Sequence, residues 1–358
     1  ALLLLAASGK KPGGSRTQQY VENIMRAVVC REWGTPEDLT MDEIAEPDMT
    51  EGGVRIAVKA CGVNFADTLM ITGEYQTRPP FPFSPGLEVG GDVLEVARGI
   101  THVKPGDRVM AMTSWGGYAE QVMAPGEAVY KVPDGMDYIS AAAFPVVYGT
   151  SHIGLKEKLD LKPGEVLLVL GAAGGVGLTA VELGKKMGAT VIATAGGQDK
   201  LAVAKKYGAD HLIDHNEEDI RARVKQITDG RGADCVYDPV GGSAFDASLR
   251  AIVQRGRILI VGFASGTIPQ VPANILLVKN ISLIGYFWGA HRKLDPELIQ
   301  SSFDELLNWY AAGELKPHVS HTFDLSETAN AMRVLKSRKS TGKVVLTTET
   351  RYPKDPSM

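Results

Sequence analysis

The chain has 358 residues, 44% of them hydrophobic and 22% charged, with a formal net charge of -4. That length suggests about two domains, each able to bury an ordinary core, and with no long basic run there is no reason to expect a nucleic-acid partner. Its three cysteines, Cys30, Cys61 and Cys235, form no Cys-x-x-Cys pair, which speaks for a reducing compartment without structural disulfides or a zinc knuckle.

Residues 1–24 open on ALLLLAA, an apolar run far shorter than the roughly 20 residues that cross a bilayer, and continue polar and basic. They read as an extension outside the fold, either the remains of a targeting peptide or a tag remnant. The expected location is cytoplasmic, or mitochondrial if this stretch is a leader, and no membrane partner is expected. From residue 25, short strand-like runs at 26–30, 54–61, 90–97, 108–112 and 118–123 alternate with Gly- and Pro-containing turns. Many brief strands with frequent turns indicate a compact β-barrel-like domain reaching to about residue 148. A helical run at 139–144 leads out of it.

The segment 165–186, EVLLVLGAAGGVGLTAVELGKK, organises the second half of the chain. Residues 166–170 are wholly apolar, as befits a strand covered on both faces of a parallel sheet. Gly171, Gly174 and Gly177 then recur every third residue, with Gly175 between, and Val176, Ala180, Leu183 and Met187 share one face of a helix. Strand, glycine turn, helix and a second strand at 190–194 define a dinucleotide unit. Ala173, Gly174, Gly175 and Val176 would meet the pyrophosphate at the helix start. A glycine turn that merely packs helix against strand is the bland alternative. The second strand ends Ala193-Thr194-Ala195-Gly196-Gly197-Gln198, with no acid before Asp199. Small residues at Gly196 and a cation at Lys200 leave room for a 2′-phosphate, so the expected cofactor is NADPH.

Strand-like runs at 211–213, 235–237 and 257–261 continue the βα rhythm of a doubly wound parallel sheet, a Rossmann domain. The loops at Gly241 and at Gly262, Phe263 and Ala264 come after strands, at the carboxyl edge where such sheets bind ligands. Residues 281–288 read as the last strand, with Phe287 and Trp288 either stacking in a cleft or packing in the core. An amphipathic helix is expected at 295–312, a return to the first domain from residue 316, and a loose tail over the final ten residues.

The stretches GVNFAD, SPGLEVGG, KPGDRV, GAAGGVG and KSTGKVV, in this order, resemble the medium-chain dehydrogenase/reductase superfamily and its zinc-free quinone oxidoreductase (ζ-crystallin) branch, over residues 25 to about 348. The resemblance implies an α/β fold: a GroES-like β-barrel catalytic domain, 25–148 with 289–358, and a Rossmann nucleotide-binding domain, 149–288. It implies a homodimer. Zinc-dependent members hold metal through a Cys, a His and a third Cys or acidic ligand; the matching positions here are Asn64, Leu87 and a residue near Val146, which cannot make that site. The resemblance places Asn64, Asp67 and Tyr75 along the active-site cleft, Asn64 to hold a substrate oxygen or to cap a helix, and Tyr75 to donate to that oxygen or to pack over the cleft. Asp67 and Glu88 are expected to hold structure. Thr150 matches a threonine near the nicotinamide, Lys200 the branch's phosphate-binding lysine, His215 a cofactor-side position, and Tyr286, Phe287 and Trp288 the exit past the nicotinamide. Lys343 falls in the terminal turn beside the cofactor, or is a solvated strand-edge residue. Two departures stand out: Glu182 where the branch has Gln, and Leu69 where its quinone reductases often carry a second Tyr. The implied activity is NADPH-dependent hydride transfer to a quinone or α,β-unsaturated carbonyl. The alternatives are reduction of an enoyl thioester or acrylate, and an NADPH-binding protein with little turnover.

Overall fold

A computed structural model describes residues 23–348, so the readings of residues 1–22 and 349–358 lie outside the described residues. Six strands form an all-parallel sheet in the order His211–Asp214, Thr190–Ala195, Val166–Val169, Ala233–Asp238, Ile252–Ile260, Ser282–Gly285. All four residues of Val166–Val169 are buried, the pattern of a central strand with helices on both faces. From this strand the chain winds outward to one edge, then returns and winds to the other. The reversal leaves a crevice at the carboxyl ends of Val166–Val169 and Ala233–Asp238, where such sheets take up ligands.

The second sheet has seven strands organised on Gly53–Val63, which pairs with Glu88–Val96 on one side and with both Lys343–Thr347 and Gln121–Pro125 on the other. Two register shifts bend its pairing with Glu88–Val96. Close approach there requires glycine: a Cβ on Gly91 would lie 2.0 Å from the Ala57 carbonyl oxygen. Val54, Ile56, Val58, Val89, Val109, Val344 and Leu346 fill the interior. A separate apolar core runs without interruption from Met110, Met112 and Phe144 to Leu167, Val169 and Phe303, so the two sheets are welded through shared side chains.

Several expected elements shift for local reasons. The run at 139–144 is the helix Tyr138–Ala142, and a second helix, Pro145–Ile153, follows it, because Pro145 has no N–H to continue a helix and instead starts one. The helix expected at 295–312 is Pro296–Ala311; Asp295 caps it by accepting from the Leu298 N–H at 3.0 Å, and Ile299, Phe303 and Leu306 form its buried stripe. The last strand of the six-stranded sheet stops at Gly285, and a helix begins at Trp288. Among the described residues no helix is long and apolar enough to cross a membrane.

Candidate active site

The turn after Val166–Val169 needs glycine at two positions. Gly171 holds φ +60°, and a Cβ on Gly177 would stand 2.2 Å from the Gly171 carbonyl oxygen. Hydrogen at Gly177 therefore lets the helix Gly175–Lys186 start hard against the strand. Ala173, Gly174, Gly175 and Val176 come together at this helix start, whose leading N–H groups have no intrahelical acceptor and carry the positive end of the helix dipole. The Gly342 N–H donates to the Ala173 carbonyl at 2.7 Å, so the loop before the last strand lies against the turn.

One strand over, Thr190–Ala195 ends at Gly196 and Gly197 beside a cavity of about 340 Å³, lined by both glycines, Gln198, Asp199, Lys200, Lys339 and Thr341. The Lys200 ammonium donates to the Arg338 carbonyl at 2.6 Å, and the Arg338 guanidinium donates to the Ala264 carbonyl at 3.2 Å. His215 closes the same region, its Nε2 lying 3.0 Å from the point where a Gly196 Cβ would be. Gly196, Lys200 and His215 thus share one place. Lys339 joins them from the other end of the chain and is not foreseen from the sequence; the basic pair Arg338-Lys339 is legible there, but only the fold brings it to residue 200.

At the far end of the crevice, the Asp238 carboxylate accepts from the N–H groups of Val240 and Gly241 at 2.7 and 2.8 Å, setting the Gly241 turn at φ +71°. Gly262, Phe263 and Ala264 lie alongside, the Ala264 N–H donating to the Pro239 carbonyl at 3.0 Å. Thr150, on the helix Pro145–Ile153, is buried. The three aromatics expected at the exit divide. Tyr286 and Trp288 turn inward, and Trp288 fills the space beside Gly149, where a Cβ would lie 2.5 Å from its ring. Phe287 is 44% exposed and meets Tyr75 edge to face, with ring centres 6.2 Å apart. Burial, with the Asp67 carboxylate adding to it, pushes the Tyr75 phenol up to about 12. Tyr75 therefore keeps its proton at neutral pH, and its hydroxyl has no hydrogen-bond partner among the described residues.

Below Tyr75 the side chains depart from expectation. Asn64 precedes the helix Phe65–Ile71, and its backbone N–H donates to Asp67 Oδ2 at 2.8 Å. Its side chain does not cap that helix. Asn64 Oδ1 accepts from the Lys343 ammonium at 2.7 Å, while Nδ2 donates to Glu88 Oε1 at 2.9 Å and to the Gly62 carbonyl at 3.3 Å. An ammonium cannot accept and a carboxylate cannot donate, so this amide orientation is the one that satisfies both neighbours. With both amide hydrogens engaged, Asn64 has no free donor for a substrate oxygen.

Lys343 is corrected more sharply. Its ammonium donates to the Val63 carbonyl at 2.9 Å and to Asn64, pairs with Glu88 Oε1 at 2.8 Å, and its side chain is 5% exposed. It is not a solvated strand-edge residue: three acceptors take its three protons, while its stem lies beside the glycine turn at Gly175. Glu88 is fully buried, and its other oxygen accepts from the Val146 N–H at 2.8 Å. Asp67 accepts from the N–H groups of Asn64 and Gly86 and from the Tyr118 hydroxyl; burial raises its carboxyl to about 6. Cys61 is a buried strand residue whose thiol donates to the Glu88 carbonyl, and burial pushes its pKa up. Among the described residues no group of three or more His, Cys, Asp or Glu is placed to hold a metal ion. Nearby, Glu182 accepts from the Tyr148 hydroxyl at 2.6 Å and the Lys316 N–H at 2.9 Å, holding the returning chain to the nucleotide-domain helix.

A glycine-cradled crevice on a parallel sheet, welded to a mixed β domain that supplies a polar floor, is the architecture of a two-domain dehydrogenase. Residues 50–134 match the alcohol dehydrogenase GroES-like domain, and residues 175–311 match the zinc-binding dehydrogenase family. The chain belongs to the medium-chain dehydrogenase/reductase superfamily of oxidoreductases, within its quinone oxidoreductase-like branch. It is 43% identical over 326 residues to the quinone oxidoreductase-like protein 2 homolog of Nematostella vectensis, covering 90% of this chain and 89% of that one. It is 37% identical over 338 residues to quinone oxidoreductase-like protein 2 of Rattus norvegicus, covering 94% and 95%. Among solved structures, the Escherichia coli quinone oxidoreductase complexed with NADPH superposes with a TM-score of 0.84 at 31% identity, covering 90% of this chain and 99% of that one.

Proposed function

We propose that this protein is a zinc-independent, NADPH-dependent reductase of conjugated electrophiles, quinones or α,β-unsaturated carbonyls. The observation that carries the reading is the Tyr75 phenol, protonated and without a hydrogen-bond partner among the described residues, facing exposed Phe287 over a floor where the positions that match the family's zinc ligands are Asn64, Leu87 and a residue near Val146.

The residues present fit the cofactor. The helix start at residues 173–176 would take the pyrophosphate, where a Cβ on Gly177 would close the turn. Lys200, with Gly196 and Lys339 around the cavity of about 340 Å³ and His215 next to Gly196, would take the 2′-phosphate. The loops at Gly241 and at Gly262, Phe263 and Ala264, with Thr150 and Phe287, would border the nicotinamide. When bound, NADPH supplies a hydride. Tyr75 then donates a hydrogen bond to the acceptor oxygen as negative charge gathers there, which lowers the barrier most where water is excluded. The same hydroxyl, or solvent, returns the proton. Asn64 serves below it as a fixed part of the floor. Phe287 and Tyr75 give a planar acceptor an apolar face and an edge.

We place the enzyme in a reducing compartment, the cytoplasm, a reading supported by three free cysteines. We also infer a homodimer. The strand Ser282–Gly285 is a sheet edge, and the adjoining helix Ala273–Lys279 buries none of its residues, leaving Leu277 and Val278 76% and 68% exposed. A second copy pairing with that edge would cover both.

The test is NADPH oxidation, with NADH in parallel, against quinones, simple enones and enoyl thioesters. Turnover of a quinone or enone with NADPH supports the reading. Preference for NADH overturns the cofactor assignment, turnover of thioesters alone moves the substrate class, and tight NADPH binding without turnover makes this a binding protein.

A further inference from the structure

We infer that Lys343 and Glu88 form a buried positioning pair that fixes the acceptor floor, and that Lys343 acts on hydride transfer rather than on cofactor affinity. The inference rests on the reductase reading and adds a division of labour between the two ends of the last loop. Lys339 lines the cavity of the cofactor's adenosine end, whereas Lys343, four residues on, turns away from it. The stem of Lys343 does pass the cofactor turn, its Cδ lying 3.5 Å from the point where a Gly175 Cβ would be. The charge is delivered elsewhere, to Val63, Asn64 and Glu88.

The arrangement does two things. First, it neutralises Glu88. A fully buried carboxylate beside a site where an acceptor oxygen gains negative charge would repel that charge unless a cation stood against it. Second, it pins the segments around Asn64, Glu88 and Val146 to one another and to the strand that carries Lys343. Glu88 reaches the Asn64 side chain through Oε1 and the Val146 backbone through Oε2, and Lys343 ties Asn64 to the last strand. These segments carry the three positions at which zinc-dependent members of the superfamily hold their ion. Here an ion pair holds the floor together. Its members are interdependent: removing either leaves the other as an uncompensated buried charge. Asp67, Cys61 and Tyr118 are the other titratable groups around it, and among these Asp67 and Tyr118 bond to one another.

The test uses Lys343→Met, Glu88→Gln and the double variant in the full-length protein. NADPH affinity is read by fluorescence titration, fold integrity by thermal melting, and hydride transfer by single turnover with an acceptor the wild type reduces. In the double variant no buried charge is left unpaired: the new glutamine oxygen accepts from the Val146 N–H, and its amide donates to Asn64, which is free to flip once the ammonium is gone, so the remaining loss is that of neutral hydrogen bonds to the Val63 and Gly62 carbonyls. Each single variant should slow hydride transfer by about a hundredfold, the scale of a small misplacement at a reacting centre, with NADPH affinity unchanged within about threefold; the double variant should recover most of the rate and the melting temperature. Were Lys343→Met to weaken NADPH tenfold or more without rescue by Glu88→Gln, Lys343 would be a cofactor ligand and the inference would fall. Unchanged hydride transfer in folded single variants would also overturn it. Non-additive melting temperatures test the pairing without any turnover, so a wild type that reduces no acceptor defeats the reductase reading separately.

Discussion

Replacing both Lys200 and Lys339 with alanine removes the two ammonium groups from the cavity beside Gly196 and Gly197. Lys200 is half-buried and already oriented by the Arg338 carbonyl, so a charge-assisted bond from it to a 2′-phosphate is worth about 2 kcal/mol. Lys339 is exposed and screened by solvent, which reduces its share to about 0.5 kcal/mol. Together they amount to about 2.5 kcal/mol, or a roughly 60-fold rise in the NADPH dissociation constant at 1.4 kcal/mol per tenfold. NADH lacks the phosphate, and its affinity should move by less than about twofold. Fluorescence titration of wild type, both single variants and the double variant with each cofactor measures this, and repeating it at high salt should shrink the NADPH effect. The expected order is double, then Lys200→Ala, then Lys339→Ala. If NADPH and NADH weaken equally, the lysines act by holding the loop 337–341 rather than by meeting a phosphate, and the cofactor assignment loses its structural support.

Tyr75→Phe should lower kcat/KM for quinones by roughly tenfold to a hundredfold, the range of one lost hydrogen bond to a charged oxygen, with NADPH affinity unchanged; an unaltered rate would return Tyr75 to a packing role. Gly177→Ala puts a methyl 2.2 Å from the Gly171 carbonyl oxygen, so it should abolish measurable NADPH binding and lower the melting temperature. The Asp67 carboxyl, raised from 3.8 to about 6, binds its proton more tightly in the folded state, so its contribution to stability falls as pH rises across that window and is flat above it. The melting temperature of Asp67→Asn should accordingly gain on wild type between about pH 4 and pH 6.5, and a constant difference would refute the shift. Leu277→Glu should convert a dimer to a monomer by sedimentation velocity; a wild type that sediments as a monomer would dispose of the proposed interface.

The nucleotide domain was legible because its signals are local. An unbroken apolar strand, glycines every third residue and a 3.6-residue helical period each arise from short-range geometry, and Val166–Val169 with Gly175–Lys186 fall where those signals put them. Side-chain direction was not legible. Phe287 and Trp288 are neighbours of like chemistry, and only packing against Gly149 and Tyr75 decides which is buried. Lys343 is the clearer case: in sequence a lysine after a Ser-Thr-Gly turn looks solvated, and the partners that draw it inward, Asn64 and Glu88, lie in a different part of the chain. The strand–turn–strand pattern of the first domain was visible, whereas its pairing was not, because the partners of Gly53–Val63 range from Glu88–Val96, close by, to Lys343–Thr347, near the other end of the fold.

That last pairing sets a timetable for synthesis. Val63 and Lys343 touch across a separation of 280 residues. At elongation rates of about 5–20 residues per second, the strand Gly53–Val63 waits roughly 15–60 seconds for its partner Lys343–Thr347 to leave the ribosome. The six-stranded sheet lies wholly between them and can close first. Throughout that interval Cys61, Gly62 and Val63 present an unfinished β edge at the head of a nascent chain. The strand that completes the floor of the active site is therefore also where a stalled or truncated chain is most exposed to pairing with the wrong neighbour.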